Sequence, residues 1–440
     1  MKKSVCIHAF IIFLVSACAA YGGTNWPGWR GVDAMGVSNG TPPIKWSETE
    51  NIKWKVELDG DTSNSSVIVW EDKLFFQTVV KTDKKAPSEP AEKKEGGRRR
   101  FGGRKPANVY RFNVVCLNRK TGKMIWEKPV KEILPHEGHH RDHGFASSTP
   151  VTDGKYVWAN FGSRGVYCLD MKGEIKWSKE LGTMKTRASF GEGSSPVLAG
   201  ENLIVVMDQE ERSTIYAIDK ISGDIAWKKD RDEPTSWTTP LVLDVEGKTQ
   251  IIVNGNTRVR SYDAADGDLI WECGGQARNV IPTPVTGFGM VFCASGYSGN
   301  KIQAIKLGKT GDLTDTDSVV WQVDKDAPYV PSPLLYGEKL YVLKKNSGVL
   351  SCYNAKTGKP YYESQKLEEM KKIYASPVGA AGRVYLTGRK GVTYVLKNSD
   401  SFEVVSINKL DDDIDCSLAI VGDEIYLKGK KYLYCIAEKK

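Results

Sequence analysis

One pattern recurs along almost the whole chain and restricts its fold more than any other feature. From Ser148 to Trp177 the sequence runs through a small residue and proline, three short β-runs, an LD…G turn and a closing Trp. The opening dipeptide returns as Ser195-Pro196, Thr239-Pro240, Thr283-Pro284, Ser332-Pro333 and Ser376-Pro377. From Pro150 the prolines are spaced 46, 44, 44, 49 and 44 residues apart. Weaker copies open at Ser65-Ser66 and Ser417-Leu418, making eight. A period of roughly 40–50 residues with four short strands per unit predicts an all-β, eight-bladed β-propeller of four-stranded antiparallel blades.

The last copy ends at KYLYCIAEKK without a fourth strand, and the seventh reaches only Val405. The strand missing from the eighth stands at the other end, where Ile52–Leu58 alternates and carries Trp54. The N-terminal strand should therefore pair with the last blade and close the ring, removing unpaired edges. The expected organisation is a signal segment over 1–20, an extension over 21–50 and the propeller over 51–440. Trp26, Trp29 and Trp46 of the extension are expected on the outer surface as a clasp. A basic insert, 81–105, interrupts the first blade between Leu74–Val79 and Tyr110–Leu117. Nearly free of apolar residues, it is expected to be disordered.

Charge and cysteine content exclude some roles. The net charge is +8, of which the insert contributes +6 and Lys2 and Lys3 contribute +2, so the propeller body is neutral. Nothing there points to nucleic acid. Lys2 and Lys3 precede an apolar run, Ala9–Val15, as in an export signal. Val15-Ser16-Ala17-Cys18 resembles a bacterial lipobox, which would make Cys18 the lipidated residue. Ordinary cleavage after Ala17, Ala19 or Ala20 is the alternative. The expected location is the periplasm or, with a lipid anchor, the outer membrane. Of nine cysteines, Cys116, Cys168, Cys352 and Cys435 share one place in their copies, where others carry Ala217, Ser261, Ala304 and Val395. They read as small core residues rather than disulfide partners. Cys273–Cys293 is the one pairing left open.

Function should gather on the face bearing the blade-to-blade connections, the longest of which flank the second blade. Leu134–Gly144 holds His136, His139, His140 and His143 with Glu137 and Asp142. Their spacing matches no named metal motif; the expectation is ligand contact through His139, His140 and His143, with a solvated loop or a divalent-metal site as the alternatives. Arg187, Glu192, Trp237, Arg278, Asn279, Tyr329 and Tyr374 precede successive first strands and should ring the channel mouth. Of these, Arg187, Trp237 and Arg278 are the expected ligand contacts, suited to a planar anion or an extended peptide; that the ring simply plugs the channel is the alternative. No catalytic motif occurs, and no catalytic or metal residue is assigned.

The turns CLDMKGEIKW, AIDKISGDIAW and SYDAADGDLIW with their Ser/Thr-Pro openings resemble the PQQ-like (quinoprotein-type) β-propeller repeat over about Ile52–Ile436. That family holds quinone-dependent dehydrogenases and a non-enzymatic lipoprotein of outer-membrane β-barrel assembly. The resemblance implies, for a dehydrogenase, a Cys-Cys pair against the quinone and a calcium ion held by Glu, Asn and Asp. This chain has no Cys-Cys, so no cofactor is expected. The assembly lipoprotein is the nearer likeness in size and plan. The expectation is a non-catalytic envelope propeller, alone or within a complex, binding a protein or small ligand. A PQQ-dependent oxidoreductase and a polysaccharide-binding or -processing propeller are the alternatives.

Overall fold

The computed structural model describes residues 24–58, 60–86 and 102–439. They form eight sheets whose first strands neighbour one another around a central axis, the first strand of blade 8 meeting that of blade 1. The signal segment and Cys18 lie outside the described residues. In blade 8, Ile52–Glu57 pairs antiparallel with Tyr432–Ile436, Trp54 opposite Cys435, so the first long strand is the outermost strand of the last blade.

The register explains why the repeat alternates large and small residues. In blade 1, Phe75 on the second strand, Cys116 on the third and Trp126 on the fourth lie side by side. Phe292–Ala304–Trp321 and Tyr426–Cys435–Trp54 repeat the row. A small middle residue lets the outer rings meet above it at 5.8–6.0 Å between centroids. This is the place of Cys116, Cys168, Cys352 and Cys435. All seven described cysteines are buried and free, Cys273 and Cys293 among them.

Each closing Trp also fastens its blade to the next. The indole N–H of Trp54 donates to Arg119 O (3.0 Å), Trp126 to Met171 O (3.2 Å), Trp177 to Lys220 O (3.1 Å) and Trp227 to Ala264 O (3.1 Å). The glycine of the receiving LD…G turn lies under the ring. At Gly223 (φ +77°) a Cβ would stand 2.7 Å from Trp177 Cδ2, so both backbone conformation and space require glycine. Blade 4 departs from this: a short strand, Gly311–Asp312, adds to its outer edge, and fully buried Trp271 donates to its own blade's Gln250.

The Ser/Thr of the opening dipeptides forms a hydrogen-bonded belt around the axis. The N–H of Ser66 donates to Thr149 Oγ1 (3.0 Å), Thr149 to Ser195 (2.9 Å) and Ser195 to Thr239 (3.1 Å). Thr283 donates to Ser332 (2.9 Å), Ser332 to Ser376 (2.9 Å), Ser376 to Ser417 (2.9 Å) and Ser417 back to Ser66 (3.1 Å). Between Thr239 and Thr283 the relay breaks, and Thr283 Oγ1 has no partner. Proline follows six of the eight, Ser66 and Ser417 being the exceptions, and holds the residue before it extended, which aims its N–H sideways at the next blade.

Two expectations need correction. The extension does not clasp the outer surface. It enters the channel from the face of the LD…G turns. Trp26 exchanges backbone hydrogen bonds with Val69, Thr152 N–H donates to Pro27 O, and Val37–Ser38 pairs parallel with Gly379 and Ala380 of blade 7. Thr41 N–H then donates to Gly422 O of blade 8. Trp46 is buried between blades 7 and 8, stacked on Tyr385 at 6.5 Å. In blade 7 the residue in the closing position is Ser406, opposite Val395, so Trp46 supplies the ring that blade lacks. The insert also begins later than expected. The second strand of blade 1 runs through Lys85 and the third starts at Asn108. Gly103 N–H donates to Ala188 O, and residues 87–101 lie outside the described ones.

Candidate functional site: a blind cavity at the channel mouth

With the extension filling one end, the channel becomes a pocket open only on the face of the blade-to-blade connections. Its volume is about 370 Å³, within the range of small-ligand sites, roughly 300–1,000 Å³. Trp29 of the extension lines it with Phe190, Trp237, Tyr297, Tyr329 and Tyr374, and the belt contributes Ser66, Ser195, Thr239, Thr283, Ser376 and Ser417. Trp237 is fixed by its indole N–H, which donates to Gly191 O at 2.7 Å.

The histidine loop reaches across the mouth and is latched on the far side. Arg389, from blade 7, donates to Asp142 (2.5 Å) and bidentately to Asp415 (2.7 and 2.6 Å), with its guanidinium 4.2 Å over Tyr374. Tyr374 donates to the other Asp142 oxygen at 3.0 Å. Burial alone would raise the Asp142 carboxyl, but Arg389 and Tyr374 outweigh it and hold it below the usual value. Both mouth carboxylates are thus paired with Arg389.

The histidines separate. His140 lines the cavity edge-on to Phe190, and its Nδ1 accepts Asp142 N–H. His143 also lines it; Gly144 N–H donates to its Nδ1 (2.9 Å), from which Ser147 Oγ stands 2.5 Å. An acceptor Nδ1 places the ring proton of each on Nε2. His139 turns away, edge-on to Phe145 with Nδ1 donating to His140 O, and does not line the cavity. Arg187 and Arg278 do not line it either, and Arg278 is exposed. Of the six expected contacts, His140, His143 and Trp237 converge on the cavity. Phe190, Tyr297 and Trp29 join them without a signal in the repeat, and Tyr329 and Tyr374 stand where the spacing put them.

What this arrangement can do chemically is limited. Ser147 beside His143 has the form of a nucleophile and base. But burial, with His139, His140 and Lys430 adding to it, pushes His143 down to about 3, far from the pKa a general base needs. His136, Glu137 and Glu192 bring ligand atoms within 4.8 Å of one another. Each is already engaged: His136 with Met184 O, Glu137 with Thr186, and Glu192 with Ser163 and the buried Arg164. No cysteine lines the cavity, and Asp142 and Asp415, its carboxylates, are both held by Arg389.

Fold and cavity together define an eight-bladed β-propeller whose channel is closed at one end. The family model described as "Outer membrane protein assembly factor BamB" matches residues 111–314, and so bears out the resemblance carried by the repeat. Among curated proteins no relative matches. Among solved structures, BamB from Moraxella catarrhalis is 14% identical, with a TM-score of 0.56 over 88% of this chain and 97% of that one. Quinohemoprotein alcohol dehydrogenase from Comamonas testosteroni is 9% identical, with a TM-score of 0.63 over 95% of this chain and 81% of that one. The computationally designed Ika8 protein is 11% identical, with a TM-score of 0.51 over 87% and 98%. These likenesses establish the fold and do not choose between assembly protein and oxidoreductase.

Proposed function

We propose that this is a non-catalytic cell-envelope propeller that binds a protein segment or small ligand in its channel mouth, a scaffold role of the assembly-factor kind. The blind, aromatic-walled cavity carries this reading: a ligand can enter and be held, while the mouth carboxylates are paired with Arg389 and the one Ser–His contact has too weak a base. Export, with a lipid anchor at Cys18, is part of the proposal. It is supported by the signal-like segment and by the description of the matching family model. A photo-crosslinking residue at position 190, in the mouth, should capture a discrete envelope protein in cells of origin. One at position 125, on the outer edge, should not. Equal labelling from both positions would overturn the reading.

The overlap with a quinone-dependent dehydrogenase favours a second reading, a quinone-binding oxidoreductase. Dye reduction by alcohols or sugars after adding quinone and calcium would establish it; none is expected.

A further inference from the structure

Counting donors against acceptors in the cavity narrows what it can hold. Each belt hydroxyl keeps its own proton, whether it accepts a neighbour's N–H or, as at Thr283, accepts none. For none of the six that line the cavity does that proton meet a protein acceptor among the described residues. The Nε2–H groups of His140 and His143 are donors without partners there too. The carboxylate and amide oxygens of the lining are engaged: Asp142 and Asp415 on Arg389 and Tyr374, Asn64 Oδ1 on Lys430, Asn346 Oδ1 on Val330 N–H. The wall offers protons and asks for lone pairs.

A second observation is independent of the belt. Arg30, 2% exposed, does not itself line the cavity but lies behind Trp29, which does, its guanidinium carbon 5.8 Å from that ring. Its Nη2 donates to Pro333 O (2.7 Å), the residue after belt Ser332, and to Met35 O. Its Nε and Nη1 have no partner, and no carboxylate pairs with it among the described residues. Burial brings Arg30 down to about 9. An uncompensated buried guanidinium is costly, and an anion nearby removes that cost.

Resting on the reading that the mouth is a binding site, we infer that its floor is an oxyanion site, taking a carboxylate or phosphate carried on an apolar body. The belt hydroxyls donate to the oxygens, Arg30 supplies the charge beneath, and Phe190, Trp237 and Tyr329 pack the body. The carboxylate of a small acid and that of a peptide C-terminus share this chemistry.

Calorimetric titration of the full chain tests it with benzoate, benzamide, inorganic phosphate, and one aromatic-ended tetrapeptide with a free or amidated C-terminus. Benzoate should bind ~10-fold or more tightly than benzamide, as charge-assisted hydrogen bonds require. A free-acid peptide binding tighter still would identify a peptide source; phosphate alone binding would identify a free anion. Arg30→Met should remove the preference for acid over amide. Thr283→Val should weaken benzoate several-fold with an unchanged melting curve, because its hydroxyl accepts nothing in the belt. That variant decides the matter if Arg30→Met fails to fold. Equal affinity for acid and amide, or no binding of any oxyanion, overturns the inference. If the amides bind as well as the acids, the mouth remains a binding site and only its charge preference is lost.

Discussion

His143 lies among the Gly144 amide, the Ser147 hydroxyl and Gly193, and its proton affinity follows from that enclosure. Its ordinary value is 6.5 and its folded value about 3. Between these the unfolded chain holds more protons than the folded one, so this contribution is complete above pH 6.5 and is lost as pH falls toward 3. Burial shifts His139 and His140 the same way. The melting temperature should therefore drop on acidification from pH 7 to 4, and His143→Gln should flatten the drop. Arg389→Ala would leave Asp142 and Asp415 without their cation, an effect of roughly 3–5 kcal/mol for a buried pair broken on one side. Urea unfolding at pH 7 reads it. At this scale the sequence was only partly informative. The spacing brought His140, His143, Trp237, Tyr329 and Tyr374 to the mouth. But a place just before a strand does not fix side-chain direction, which is why Arg278 faces solvent and Arg187 misses the cavity.

A blade owes its hold on the next to a ring and a glycine, and two substitutions separate the terms. Gly223 and Gly247 have nearly the same φ, +77° and +81°, but a Cβ on Gly247 meets nothing within 4 Å. Gly247→Ala should cost about 1 kcal/mol, the backbone term alone. Gly223→Ala, which also collides with Trp177, should cost an added ~1–3 kcal/mol. Trp46→Ala should be worse, ~3–5 kcal/mol, because the fourth strand of blade 7 carries Ser406 in place of a closing ring; calorimetric melting compares the three. The elements that repeat were legible, because eight copies fix strand, turn and register together. Trp46 and the plug were not: they lie in a Pro/Gly-rich stretch without period, and nothing in such a stretch says whether its indoles face inward or out.

Over the whole molecule, closure depends on one seam, Ile52 opposite Ile436. Deleting residues 51–58 should abolish the single cooperative transition in calorimetry, since blade 8 loses its outer strand and the indole of Trp54 that fastens it to blade 1. Removing 25–43 should instead leave a ring with an open channel and a lowered melting temperature. The seam also orders events in time. Ile52–Glu57 leaves the ribosome long before Tyr432–Ile436 and must wait for it, and pairings so distant in sequence form slowly. Any copy whose synthesis stops short of Tyr432 keeps an unmatched edge, the kind of surface by which cells recognise faulty chains. A copy stopped before that strand thus carries its own liability to stick to others.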